Sequence, residues 1–212
     1  MRGPRRRAAL GAMLAGLLSV SSVVHAQNRS STVDVVKILS FSCSVCLSSE
    51  SQDRPISAAV RAQGGRFVSA PVPTHPEDKI GPRERVYYAA RDMNSQLGDA
   101  VKASLYKGSQ EQELPLYDFV QVYAWLSRDL PEQEAFFTPL FERAKKAQSQ
   151  ESLARALRLA IGSGVDALPT YLFIQNGRVV SSLDPKHPQA TSMTALRELV
   201  IAKIEELNKS NP

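Results

Sequence analysis

An α/β fold, with an all-helical insertion between the two halves of its core, is predicted by three features of this 212-residue chain. The apolar, β-branched run Val33-Asp34-Val35-Val36-Lys37-Ile38-Leu39-Ser40-Phe41 leads directly into Cys43-Ser44-Val45-Cys46, which holds the only 2 cysteines. About 80 residues with helical periodicity and almost no strand character follow. Strand grammar then returns at Leu168-Pro169-Thr170-Tyr171-Leu172-Phe173-Ile174, and Asn176-Gly177 is a hairpin turn into the return strand Arg178 to Leu183.

Along the chain, Gln27 to Thr32 is a polar lead-in and Val33 to Phe41 the first strand, buried by its β-branched content. A helix is expected from Cys46 through Ala62, kinked at Pro55 and ended by Gly64-Gly65. Arg66 to Val72 reads as a short second strand stopped by Pro71 and Pro73, and Thr74 to Asp78 as a loop. In the helical block, Pro82 fits a first turn, and Val86, Ala89, Ala90, Met93 and Leu97 form one face. Leu116, Phe119, Val120, Tyr123 and Leu126 form a second face, and Pro131 opens a third helix carrying Phe136, Phe137, Leu140 and Phe141. Leu153, Ala156, Leu157, Ala160 and Ile161 close the block, with Tyr87, Tyr88 and Trp125 read as aromatic core. Thr191 or Ser192 caps a last helix whose inner face is Met193, Leu196, Val200, Ile204 and Leu207.

The first 26 residues read as a secretory signal peptide, with Arg2, Arg5, Arg6 and Arg7, an apolar or small stretch from Ala8 to Val24, and cleavage after Ala26. An uncleaved anchor is the competing reading, and the stretch is on the short side for spanning. Without the signal, 26 basic residues become 22 against 21 acidic ones, so the precursor's +5 falls to +1. That balance, with no basic patch interleaved with aromatics, excludes a nucleic-acid role. The remainder, 27–212, is long enough for a single domain, with its core in 33–75 and 163–209 and the insertion in 80–162.

The cysteine pair points to thiol–disulfide exchange. A strand feeding Cys-x-x-Cys at a helix start holds two sulfurs close enough to cycle between dithiol and disulfide, and aims helix-terminal N–H groups at Cys43. The thiolate is the attacking species, so Cys43 gains most from that field, while Cys46, one turn on, shares its face and can attack a mixed disulfide.

A strand ending in Phe-Ser-Cys-x-x-Cys, a helical insertion, and Leu-Pro-Thr ahead of an Asn-Gly hairpin and a final helix together resemble the DsbA family of periplasmic thiol:disulfide oxidoreductases. The likeness runs from about Val35 to Leu207 and implies a thioredoxin-like fold. It further implies that Cys43 is the exposed nucleophile, Cys46 its buried resolving partner and Pro169 a cis proline facing them, with Leu168 and Thr170 beside it as client-binding residues. No cofactor beyond the redox pair is implied. The implied setting is the periplasm of a Gram-negative bacterium, with cysteine-containing exported proteins as clients, a quinone-linked membrane oxidase as partner, and a monomeric state.

Three departures from that pattern bear on redox strength. Ser44-Val45 replaces the family's usual Pro-His, which supplies an imidazole to the nucleophilic thiolate. Lys37 stands where the family generally has a buried acid: a charged, close lysine favours thiolate, whereas one that snorkels from the sheet edge does nothing. Only about six residues separate the expected cleavage site from the first strand, leaving little room for the family's extra N-terminal strand. Ser44, Val45 and Lys37 are therefore the expected tuning residues, with an intermediate potential of roughly −130 to −230 mV. A reducing or specialised branch of the family, or a copper(I)-handling protein using Cys43 and Cys46, remains the alternative. His75 and His187 flank prolines in polar loops without ligand-like spacing, and no metal site is expected.

Overall fold

The first apolar run becomes the central strand of the sheet. The computed structural model describes residues 32–75, 77–78 and 80–209, so the expected signal peptide lies outside the described residues. Strand β1 (Asp34–Leu39) pairs in parallel with β2 (Phe67–Pro71) and antiparallel with β3 (Thr170–Gln175), which pairs with β4 (Arg178–Leu183). The order is β2-β1-β3-β4. Asn176 and Gly177, at φ 52° and 74°, make the expected tight turn, a geometry that asparagine and glycine adopt most readily.

Between β1 and β2 runs helix α1 (Ser44–Ala62). It begins two residues earlier than the sequence suggested, because the side chain of Cys43 caps it, and it continues through Pro55. Its buried stripe, Cys46, Ser49, Asp53, Ile56 and Val60, follows the three-and-four spacing of a helix face. Val33, Val35, Tyr171 and Phe173 form one face of the sheet and share a cluster with Ile56 and Val60 of α1 and Leu196, Val200 and Ile204 of the last helix, α7 (Met193–Lys209). Ser192 caps α7, its hydroxyl accepting from the Ala195 N–H. Ile38 and Leu172, with the opposite alternation, join the larger cluster built with the insertion.

The remaining helices of the insertion are α2 (Pro82–Met93), α3 (Ser95–Tyr106), α4 (Phe119–Asp129), α5 (Glu134–Ala144) and α6 (Ala147–Gly162). Asn94 divides what the sequence presented as one helical face: its side chain accepts from the Gln96 and Leu97 N–H groups and caps α3, so Met93 and Leu97 lie on different helices. A π-helical turn, Lys107–Glu111, extends α3. Tyr87, Tyr88 and Trp125 are buried as expected. Val120, Phe136 and Ile161 are exposed. The inward stripe of α4 is Val122, Trp125 and Leu126, rotated from the expected one, and Phe137 rather than Phe136 turns inward on α5. Leu116 is buried but precedes α4, at φ 49°.

One core group stands out. Glu84, in the first turn of α2, is fully buried, and neither carboxylate oxygen has a hydrogen-bond partner of acceptable geometry among the described residues. Burial pushes its carboxyl up to about 7, with Arg83 offsetting part of the effect. A carboxyl raised on folding contributes stability that is complete below its unfolded value and is lost as pH rises toward 7. Glu84→Gln, which cannot ionise, should therefore gain on the wild type by about 3 kcal/mol between pH 4 and pH 8. Parallel urea unfolding curves at both pH values test this, and a pH-independent difference would refute it.

Candidate active site

The site is assembled where α1 starts. Cys43 occupies the N-cap with extended φ and ψ of −103° and 110°, and its Sγ accepts from the Cys46 N–H at 3.0 Å. The two cysteines are joined as a disulfide, their Cα atoms 5.2 Å apart. Cys46 is fully buried, Cys43 is partly exposed, and Ser44 and Val45 are exposed. One sulfur is thus open to attack and the other shielded. An N-terminal helix N–H already points at the sulfur that would carry charge after reduction.

Facing the pair is the loop before β3. The Leu168–Pro169 peptide bond is cis, and the Leu168 carbonyl oxygen lies 3.8 Å from Cys43 Sγ. Pro169 is buried, and Thr170 donates its hydroxyl to the Ala167 carbonyl at 2.6 Å, holding the loop at the strand entrance. The structure therefore sets Leu168 against Cys43, with Pro169 and Thr170 following it along the same loop into β3.

Lys37 departs from one sequence reading. It lies in a central strand, is fully buried and does not snorkel from an edge. Its Nζ donates to Glu50 Oε1 at 2.8 Å and Asp53 Oδ1 at 2.7 Å. Lys102 of α3 closes the group, 2.6 Å from Glu50 Oε2 and 3.5 Å from Asp53 Oδ2. Two cations and two carboxylates thus balance one another beneath the sheet. For Glu50, burial raises the carboxyl, but Lys37 and Lys102 outweigh it and hold it below the ordinary range. For Asp53, burial and the neighbouring Glu50 prevail over the lysines and push it up. Lys102 is raised despite burial by the same two carboxylates. Lys37 is consequently one member of a neutralised cluster, and not a lone cation aimed at Cys43.

Sequence reading missed Glu50, Asp53 and Lys102. A signal existed for two of them: Glu50 and Asp53 lie one and two turns along α1 from Cys46, and Asp53 shares the stripe through Cys46, Ile56 and Val60. Lys37 alternates onto the same side of β1 as Val33 and Val35, which pack with that stripe. His75 stacks on Tyr117, with ring centroids 4.8 Å apart, and His187 accepts from the Gln189 N–H. No group of three His, Cys, Asp or Glu side chains suited to a metal occurs among the described residues.

A four-stranded mixed sheet with a cysteine pair capping its first helix, a cis proline opposite, and a helical insertion between the halves defines a thioredoxin-like fold of the DsbA kind. Solved structures agree. The chain superposes on the DsbA of Pseudomonas aeruginosa with a TM-score of 0.65 at 17% identity, covering 85% of this chain and 86% of that one. It matches the oxidoreductase NmDsbA1 from Neisseria meningitidis at a TM-score of 0.59 and 19% identity, over 86% and 89% of the two chains. SrgA of Salmonella enterica serovar Typhimurium gives 0.57 and 20%, over 82% and 91%. No protein-family model and no curated protein sequence matches the chain.

Proposed function

We propose that this protein is a thiol:disulfide oxidoreductase acting outside the cytoplasm, most readily as an oxidase. The observation that carries the reading is the asymmetric pair, with an accessible Cys43 at a helix N-terminus, a buried Cys46, and the cis Leu168–Pro169 bond beside the open sulfur. A client thiolate attacks Cys43 Sγ, the Cys43–Cys46 bond breaks, and Cys46 leaves as thiolate. A second client thiolate then attacks the client sulfur of the mixed disulfide and expels Cys43 as thiolate. The client loses two electrons to form its disulfide, and the pair gains them. Leu168, its carbonyl beside Cys43 Sγ, offers its backbone N–H and C=O to an extended client strand, and Thr170 flanks that position across Pro169.

The likeness to DsbA structures further supports exported, cysteine-containing clients in a Gram-negative periplasm, a quinone-linked membrane oxidase that restores the disulfide, and a monomeric protein with no cofactor beyond its own cysteines. No helix among the described residues is long and apolar enough to cross a membrane. Pro169 acts by its shape, keeping the loop against the sulfurs. Ser44 and Val45 leave the thiolate without an imidazole, so the potential of the pair is expected at roughly −130 to −230 mV.

The test is oxidation of a reduced two-cysteine peptide under glutathione buffers of set potential. The oxidised protein should convert the peptide stoichiometrically, and Cys43→Ser should do so not at all. A pair as reducing as thioredoxin would favour the reductive alternative. Metal retained by the reduced protein but lost in Cys43→Ser, without peptide oxidation, would favour copper handling.

A further inference from the structure

The helical insertion grips the turn that presents Cys43. Arg83, in the first turn of α2, is almost completely buried, 1% exposed, yet it carries a fixed charge. Its Nη2 donates to Asp78 Oδ2 at 2.8 Å. Its Nη1 donates to two hydroxyls, Ser42 Oγ at 2.9 Å and Ser109 Oγ at 3.1 Å, and the guanidinium lies 5.5 Å from the centre of the Tyr117 ring. Ser42 is the residue immediately before Cys43. The next residue of the π-helical turn, Gln110, donates through Nε2 to the Phe41 carbonyl at 2.7 Å. That turn is itself seated: a Cβ on Gly108 would meet Trp125 Nε1 at 2.7 Å, so only glycine allows it this close to the indole. From the other side, Ser40 Oγ meets Thr74 Oγ1 at 2.9 Å and accepts from the Ser42 N–H at 3.2 Å, while the Cys43 N–H donates to the Ser40 carbonyl.

Three consecutive residues, Phe41, Ser42 and Cys43, are therefore fixed by named bonds, two of them reaching across from the insertion. A buried arginine needs compensation, and Asp78 supplies it as one partner. The second half of the fork is not needed for charge balance. It is spent on a hydroxyl next to the reactive cysteine. Accepting from a guanidinium whose charge Asp78 already balances, the Ser42 hydroxyl is polarised and held in place one residue before Cys43, beside a dipeptide, Ser44-Val45, that carries no charge.

We propose that Arg83 is a positioning residue for the redox pair, acting through Ser42 to stabilise the Cys43 thiolate from within the helical insertion. The inference rests on the oxidoreductase reading above. It assigns to this chain a source of thiolate stabilisation outside the Cys-x-x-Cys segment.

The readout is the midpoint of the Cys43 thiolate, followed by thiolate absorbance as the reduced protein is titrated. Ser42 is exposed, so its variants should fold as the wild type does. Ser42→Ala should raise the midpoint by about 0.5 pH unit, and Ser42→Thr, which keeps the hydroxyl, should restore it. Arg83→Gln should raise it at least as far, and adding Ser42→Ala to Arg83→Gln should move it no further. An unmoved midpoint in Ser42→Ala overturns the proposal, as does an equal rise in Ser42→Thr. If Arg83→Gln does not fold, the Ser42 pair alone decides. Peptide oxidation by the wild type is measured alongside: its absence would sink the oxidoreductase reading, whereas the midpoints judge the role of Arg83.

Discussion

Cys46→Ser will hold an oxidised peptide on Cys43 as a stable mixed disulfide. Once the Cys43 thiolate opens a client disulfide, the resolving sulfur is normally Cys46, already within a disulfide's reach and shielded from solvent. An intramolecular thiol at such a distance has a large effective concentration, so its removal should lengthen the life of the complex roughly a hundredfold or more. The complex is visible as a reducible band on a denaturing gel after acid quench. Cys43→Ser should give none, because Cys46 is buried. Comparable complexes in Cys43→Ser would reverse the assignment of attacking and resolving sulfurs.

The largest effect on stability is expected at Lys37. Lys37→Met leaves Glu50 and Asp53 facing Lys102 alone, so one buried carboxylate loses its counter-charge, which costs about 3–5 kcal/mol. The loss should be greatest at neutral and alkaline pH. Asp53, already held above its ordinary value by burial, takes up a proton first as the solution is acidified, and the deficit then narrows. Adding Asp53→Leu should recover much of the stability, since an apolar replacement removes the stranded charge. Urea unfolding at pH 7 and pH 4.5 reads all of this. A loss below about 1 kcal/mol at pH 7 would mean that the cluster is not desolvated.

How much was legible in the sequence follows from how local each signal is. The strands, the hairpin at Asn176-Gly177 and the redox pair announce themselves within a few residues, through alternation, turn chemistry and spacing, whereas the Asn94 cap that parts α2 from α3 is hidden in what reads as one apolar face. A cis Pro169 facing the pair is what the resemblance to the DsbA family implies, and the Leu168–Pro169 bond is cis with the Leu168 carbonyl beside Cys43. The faces of α4 and α5 were misjudged at Val120 and Phe136, because adjacent apolar residues leave the rotation of a helix ambiguous until its neighbours are known. The charge cluster was illegible for a different reason. Lys37, Glu50, Asp53 and Lys102 come from three elements, and a lysine in a strand reads the same whether it is edge-exposed or neutralised inside. Arg83 was hidden likewise, its partners Ser42, Asp78 and Ser109 scattered over the segments around it.

The sheet order has a consequence for how the chain reaches its native state. β1 has a neighbour close by in sequence, β2, but its other neighbour, β3, arrives only after the whole insertion, with Val35 opposite Phe173. Closing a flexible loop of that length would cost about 4 kcal/mol in chain entropy. Helix α2 packs against α3, α5 and α6, so the packed insertion holds its two ends, near Pro82 and Gly162, close together and shortens the effective loop. The insertion therefore works as a packed spacer, its closed ends bringing β3 back within reach of β1.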